Sequence, residues 1–109
     1  MKKILISAVA LSTFFSFSAL ADTPIFNIII KDHKFQPDVL EIPADKKVKL
    51  VIDNQDPTAE EFESNDFNRE KVIGGNSKGV IFVGPLKAGE YKFFGEFNMD
   101  SAKGKLIAK

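Results

Sequence analysis

Residues 47–53, KVKLVID, alternate polar and apolar side chains at every position but Val51. Successive residues of an extended strand point to opposite faces. Val48, Leu50 and Ile52 therefore share a buried face, while Lys47, Lys49 and Asp53 face outward or line an edge. This is the pattern of a half-buried β-strand, and the sequence on either side repeats the theme.

Upstream, IFNIIIK (residues 25–31) is rich in β-branched residues and places Phe26, Ile28 and Ile30 on one face. The turn-prone Asp32-His33-Lys34 leads to Phe35-Gln36-Pro37, and Val39, Leu40 and Ile42 follow before Pro43. Proline has no N–H for a sheet ladder, so the piece between the two prolines reads as a short or edge strand.

Downstream, Asn54-Gln55-Asp56-Pro57 reads as a loop, because Asn and Asp satisfy nearby backbone groups and proline fixes its own φ. Thr58 to Asn68 is polar but carries Phe62 and Phe67. Further strands are expected over Arg69–Ile73, Lys78–Val83, Tyr91–Phe94 and Lys103–Lys109, with glycine or proline between them. About seven short strands with no convincing helix predict an all-β Greek-key β-sandwich. Most of the eight phenylalanines after residue 21 are expected in its core.

The first 21 residues read differently. Lys2 and Lys3 precede an apolar run from Ile4 to Leu20, and Ala19-Leu20-Ala21 stands before Asp22. A charged start, an apolar middle and small residues at the end are the pattern of a cleaved signal peptide. The expected organisation is a signal peptide at 1–21 and one domain at 22–109, exported to the periplasm, with no transmembrane segment after cleavage.

Fifteen basic and fifteen acidic residues balance, and the lysines are scattered, so nucleic acid is not an expected partner. The chain has no cysteine, which removes disulfides, thiolate metal sites and a cysteine nucleophile together. His33 is the single histidine; Ser64, Ser77 and Ser101 therefore lack the constellation that activates a serine, and Gly74-Gly75 lacks P-loop spacing. No catalytic residue is assigned, and this chain alone offers no recognisable redox or catalytic centre, which leaves open whether it acts as an enzyme.

Phe35-x-Pro37 with Val39, Leu40, Ile42 and Pro43, then Val48 to Asp53 running into Asn54-x-Asp56, resembles the first half of cupredoxins. Gly89-x-Tyr91-x-Phe93 with Gly104-x-Leu106 resembles the second half. The resemblance implies a cupredoxin-like sandwich, and it lays Glu60 on the first copper histidine, Gly95 on the cysteine, Asn98 on the second histidine and Ala102 near the methionine. All four blue-copper ligands are replaced, so no type 1 copper centre is expected.

A narrower resemblance is carried by Glu60-Glu61-Phe62-Glu63-Ser64, Arg69-Glu70-Lys71-Val72-Ile73, Gly84 to Phe97 and Ala102-x-Gly104. These stretches look like the EfeO-type cupredoxin-like domains of ferrous iron permease systems. That resemblance implies a periplasmic accessory that binds iron or copper and works with a membrane iron permease or another periplasmic uptake subunit. Departure from the group at Asn98, where members often carry histidine, bears on any inherited site.

In such a sandwich the loop before Glu60 and the last loop share one end, and the expected metal residues are Glu60, Glu61, Glu96 and Asn98. Oxygen donors of this kind suit hard cations such as iron or manganese better than Cu(I). If Phe62 is core, Glu61 and Glu63 face out together. The competing reading is a solvated acidic surface in which Arg69 and Lys71 pair across strands with Glu61 and Glu63. Two further readings stay open: a metal-free interaction module, and a copper chaperone using His33 and Met99, although Met99 is expected to serve as an apolar packing residue.

Overall fold

The computed structural model describes residues 23–109, so the segment read as a signal peptide lies outside the described residues. The strands are β1 Ile25–Lys31, β2 Lys34–Gln36, β3 Val39–Ile42, β4 Val48–Asn54, β5 Glu60–Ser64, β6 Arg69–Ile73, β7 Ser77–Val83, β8 Gly89–Gly95 and β9 Lys103–Ala108. A single 3-10 turn, Glu96–Asn98, is the only helical piece among the described residues. None of these elements is a helix long and apolar enough to cross a membrane.

Two sheets form the sandwich, one ordered β2-β1-β4-β7 and the other β3-β9-β8-β5-β6. The alternation of residues 47–53 is realised in β4, where Val48, Leu50, Ile52 and then Asn54 are buried. β4 runs parallel to β1 on one side and antiparallel to β7 on the other, which places it inside its sheet. β3, bracketed by Pro37 and Pro43, is an edge strand as those prolines require. Nine strands replace the seven expected, because Phe35 sits in a three-residue strand of its own and the polar stretch before Asn68 holds β5.

Each sheet turns its apolar face inward. Ile28, Ile30, Leu50, Ile52, Ile73, Phe62, Phe93 and Leu106 are buried between the layers. The aromatic part of this core is compact: Phe62 stacks on Phe93 with centroids 4.9 Å apart, and Phe35 meets Phe93 edge-on at 5.0 Å. Among the described residues only four phenylalanines, Phe35, Phe62, Phe67 and Phe93, are buried, whereas Phe82 and Phe97 are exposed. Met99, expected to pack, is also exposed, because it stands on the loop after the 3-10 turn rather than on a strand face.

One expectation is overturned by register. β5 and β6 are neighbours, but Phe62 pairs with Lys71 and Ser64 with Arg69, so both cations lie on the face of Phe62 and not with the acids. Arg69 instead donates from Nε to the Phe82 carbonyl at 2.8 Å, tying the edge of β6 to β7. The cross-strand partner of Glu63 is Glu70, a like charge.

Candidate functional site

The loop between β4 and β5 and the loop between β8 and β9 meet at one end of the sandwich. Asn54 organises the first loop. It is fully buried, its side-chain amide donates to the carbonyls of Thr58, Ile73 and Gly74, and its Oδ1 accepts the Asp56 N–H at 3.1 Å. Asp56 in turn accepts the backbone N–H groups of Asp32 at 2.7 Å and His33 at 2.9 Å. Those two residues form the tight β1–β2 turn with φ of 54° and 60°, the left-handed pair of a type I′ two-residue hairpin turn. Burial alone would raise the Asp56 carboxyl; the His33 and Asp32 N–H donors, with the nearby His33 and Lys31, outweigh it and hold it below its ordinary value.

Glu60 opens β5 on the same face as Phe62, and it is only 2 % exposed. Its Oε1 accepts the N–H of Glu61 at 2.9 Å and of Phe97 at 2.8 Å, and its Oε2 accepts the Asn98 side-chain amide at 2.8 Å. Gly95 and Ala102 complete this end, joined by a Gly95 N–H to Ala102 carbonyl bond of 2.9 Å. A Cβ on Gly95 would fall 2.6 Å from the Glu60 carboxylate and 2.7 Å from the Ala102 methyl. The four positions that the cupredoxin resemblance aligned with copper ligands do converge, and the Glu60 side chain fills the space between them.

These residues do not fit a blue-copper ion. The set offers no thiolate and no imidazole, and its donors are already matched to one another. Among the described residues no buried side-chain nitrogen or oxygen lacks a hydrogen-bond partner, so no orphaned donor marks a place for a metal here.

The four expected metal residues are thus divided. Glu60 and Asn98 meet by a hydrogen bond, while Glu61 lies on the outer face of β5 and Glu96 stands exposed on the 3-10 turn, near enough for its charge to act on Glu61. Glu61, Glu63 and Glu70 each offer a carboxylate oxygen, all within 4.8 Å of one another. Alternation around the buried Phe62 sends Glu61 and Glu63 outward as expected. Burial raises the Glu61 carboxyl first, followed by the charges of Glu70 and Glu96 and a hydrogen bond with Glu70. Burial also leads for Glu63, followed by Glu96, Glu70 and Glu61. No ion pair among the described residues involves these acids; the close pairs are His33–Asp56, Lys105–Glu90 and Lys109–Glu41.

Glu63 and Glu70 were not among the expected site residues. Glu63 was already placed beside Glu61 by alternation, but Glu70 needed the β5–β6 register, which only the structure gives. His33 and Met99, far apart in sequence, belong to neighbouring segments: Ser101 Oγ donates to the His33 carbonyl at 2.7 Å. The His33 ring faces Asp56, with Nδ1 3.5 Å from Oδ2.

A two-sheet sandwich closed at one end by a loop after β4 and a loop before β9 is the architecture of the cupredoxins. The sequence matches the family described as cupredoxin-like domain over residues 3–108, and the chain belongs to that family. An uncharacterized protein of Rickettsia prowazekii (strain Madrid E) is 48% identical over 80 residues, which take in 73% of this chain and 64% of that protein, so the match spans less than two thirds of the relative. Among solved structures, auracyanin A, a "blue" copper protein from Chloroflexus aurantiacus, superposes with a TM-score of 0.70 at 13% identity over 81% of this chain and 100% of that one. The metal binding domain of the Cu(I) exporting P-type ATPase CopA of Streptococcus pneumoniae D39 gives 0.70 at 16% identity over 78% and 84%. Amicyanin from Paracoccus versutus gives 0.61 at 15% identity over 84% and 86%. At these identities the likeness is one of fold.

Proposed function

We propose that the protein is an exported, EfeO-type cupredoxin-like accessory of an iron uptake system. In this reading it holds a hard cation, iron by preference, on the outer face of β5 and β6 and passes it to a membrane permease or periplasmic subunit. The observation that carries the reading is the trio Glu61, Glu63 and Glu70, whose carboxylates lie within 4.8 Å of one another with no cation paired to them. Like charges at that spacing repel; the Glu61 and Glu63 carboxyls are raised first by desolvation and then by the acids around them, and an ion with oxygen preference relieves that repulsion. The charge of Glu96 acts on both as well, and an ion at the trio relieves that repulsion too. Glu60 and Asn98 support the site from inside, since their bonds hold the turn that carries Glu96.

The test is calorimetric titration of the chain from Asp22 onward with Fe(II) under anaerobic conditions and with Mn(II), checked by elemental analysis. Micromolar binding that Glu61→Gln/Glu63→Gln abolishes is the expected result. Absence of binding, or binding indifferent to those substitutions, overturns the reading. A copper reading through His33 and Met99 predicts instead Cu(I) binding lost in His33→Ala.

The reading with the next best support is a metal-free module that docks on a permease or periplasmic subunit. Phe97 and Met99, 53% and 51% exposed on the loop that Glu60 holds, favour it. It predicts that Phe97→Ser abolishes function while Glu61→Gln leaves function intact.

A further inference from the structure

The outer face of the β2-β1-β4-β7 sheet has a composition unlike the rest of the surface. Its register rows place Ile25, Lys49 and Phe82 side by side, then Asn27, Val51 and Val80, then Ile29, Asp53 and Lys78. Ile25, Val80 and Phe82 are 57%, 38% and 43% exposed, although β-branched and aromatic side chains ordinarily seek cover. Five lysines, Lys31, Lys34, Lys47, Lys49 and Lys78, share or border this face with the single strand acid Asp53. None of the five takes part in an ion pair among the described residues. Lys47 lies over the Phe82 ring, 4.8 Å from its centroid, so its stem covers aromatic surface while its ammonium remains available.

Glu61, Glu63 and Glu70 lie on the β5–β6 part of the other sheet's outer face, whose β8–β9 part carries Lys92, Lys103 and Lys105. The chain as a whole has equal numbers of acidic and basic residues, so attraction to an anionic surface comes from the local density of lysines on the β1, β4 and β7 face and not from net charge.

From this face we infer that the protein docks on an anionic lipid bilayer, with the outer face of β1, β4 and β7 against the headgroups and the acidic cluster turned away. The make-up of the face selects lipid over a protein partner. Lysine is depleted from the cores of protein interfaces, yet here lysines are interleaved with the apolar residues rather than confined to a rim. Lysine stems laid along apolar surface with the ammonium groups on phosphates suit a headgroup region. The docking does not depend on the cation reading.

Cosedimentation with vesicles tests it, using the chain from Asp22 onward, which contains every strand of the sandwich. Retention is expected on phosphatidylglycerol vesicles and not on phosphatidylcholine vesicles, and high salt releases the protein. Lys49→Glu/Lys78→Glu is expected to lower the bound fraction about tenfold or more, given the strength of lysine attraction to anionic headgroups. Lys92→Glu/Lys103→Glu, on the opposite sheet, leaves it unchanged. Circular dichroism of both variants establishes that they fold; should the first pair not fold, Lys31→Glu/Lys34→Glu serves in its place. No retention on phosphatidylglycerol, or equal loss in both pairs, overturns the proposal. So does concentration-dependent self-association that the Lys49/Lys78 variant abolishes without any vesicle retention, since a second copy's acidic face would then be the occupant.

Discussion

The carboxylate of Glu60 and the side-chain amide of Asn98 meet at 2.8 Å at the end of the sandwich where the β4–β5 and β8–β9 loops come together. With the Phe97 N–H on its other oxygen, Glu60 links β5 to the loop after β8, two segments 37 residues apart. Glu60→Ala leaves three part-buried donors without their acceptor, and water can reach some of them, so the penalty stays below three full buried-donor costs. The expected loss of stability in urea denaturation is about 1–3 kcal/mol. Glu60→Gln keeps the shape but turns an NH2 toward one of the donors, so its cost falls between wild type and alanine. A loss below about 0.5 kcal/mol for the alanine variant, the range of an ordinary surface substitution, would refute the tie.

Gly95 depends on Glu60 in a way a double-mutant cycle can read. A methyl at position 95 would sit 2.6 Å from the Glu60 carboxylate, well inside van der Waals contact. Gly95→Ala is therefore expected to cost about 1–3 kcal/mol through overpacking. In a Glu60→Ala background the carboxylate is gone and the penalty shrinks, so the two substitutions couple by about 1 kcal/mol or more. Additive effects would show that the glycine is not there to make room for the acid.

Period-two alternation made much of the fold legible: β1 and β4 fall on, or within one residue of, residues 25–31 and 47–53, whereas β6 falls at residues 69–73 without alternating, its first four residues all being exposed. The same rule, started from a buried Phe62, puts Glu61 and Glu63 outside and Glu60 and Ser64 inside, so the burial of Glu60 follows from the sequence once its neighbours are oriented. It was obscured because a glutamate seldom lies fully buried. The pairing of Glu63 with Glu70 was not legible. Register across β5 and β6 is set by the four residues between them, where Ser64 Oγ accepts the Phe67 N–H, Phe67 is buried and Asn68 adopts φ of 57°. A one-residue slip would have brought Arg69 and Lys71 to the acids.

At the opposite side of the same end, Asp56 fastens the β1–β2 turn through the N–H groups of Asp32 and His33. Its folded-state pKa lies below the ordinary 3.8, so its contribution is fully present above that value and is lost as pH falls through the folded pKa. Acid titration of stability is expected to show this loss in wild type. Asp56→Asn is less stable at neutral pH and loses less between pH 4 and strongly acidic solution, roughly the window in which an aspartate of lowered pKa protonates. Parallel acid curves for the two proteins would remove Asp56 from the account.

The acidic cluster has the opposite dependence. Glu61 and Glu63 have folded-state pKa values raised above the ordinary 4.5 by burial and by the acids around them. In the window above 4.5 the native protein therefore holds more protons than the unfolded chain, and stability falls as pH rises through the folded pKa. Glu61→Gln/Glu63→Gln removes the repulsion, so the variant is expected to melt higher than wild type at pH 7, and the gap closes toward pH 4, roughly where the carboxyls of either state take up protons. Added salt narrows the gap at pH 7 by screening exposed charge. A bound cation acts on wild type in the same direction as the substitution and has no effect on the variant. Melting curves at two pH values, with and without Mn(II), separate these outcomes: a variant no more stable than wild type at pH 7 in metal-free buffer would show that the three carboxylates do not repel one another.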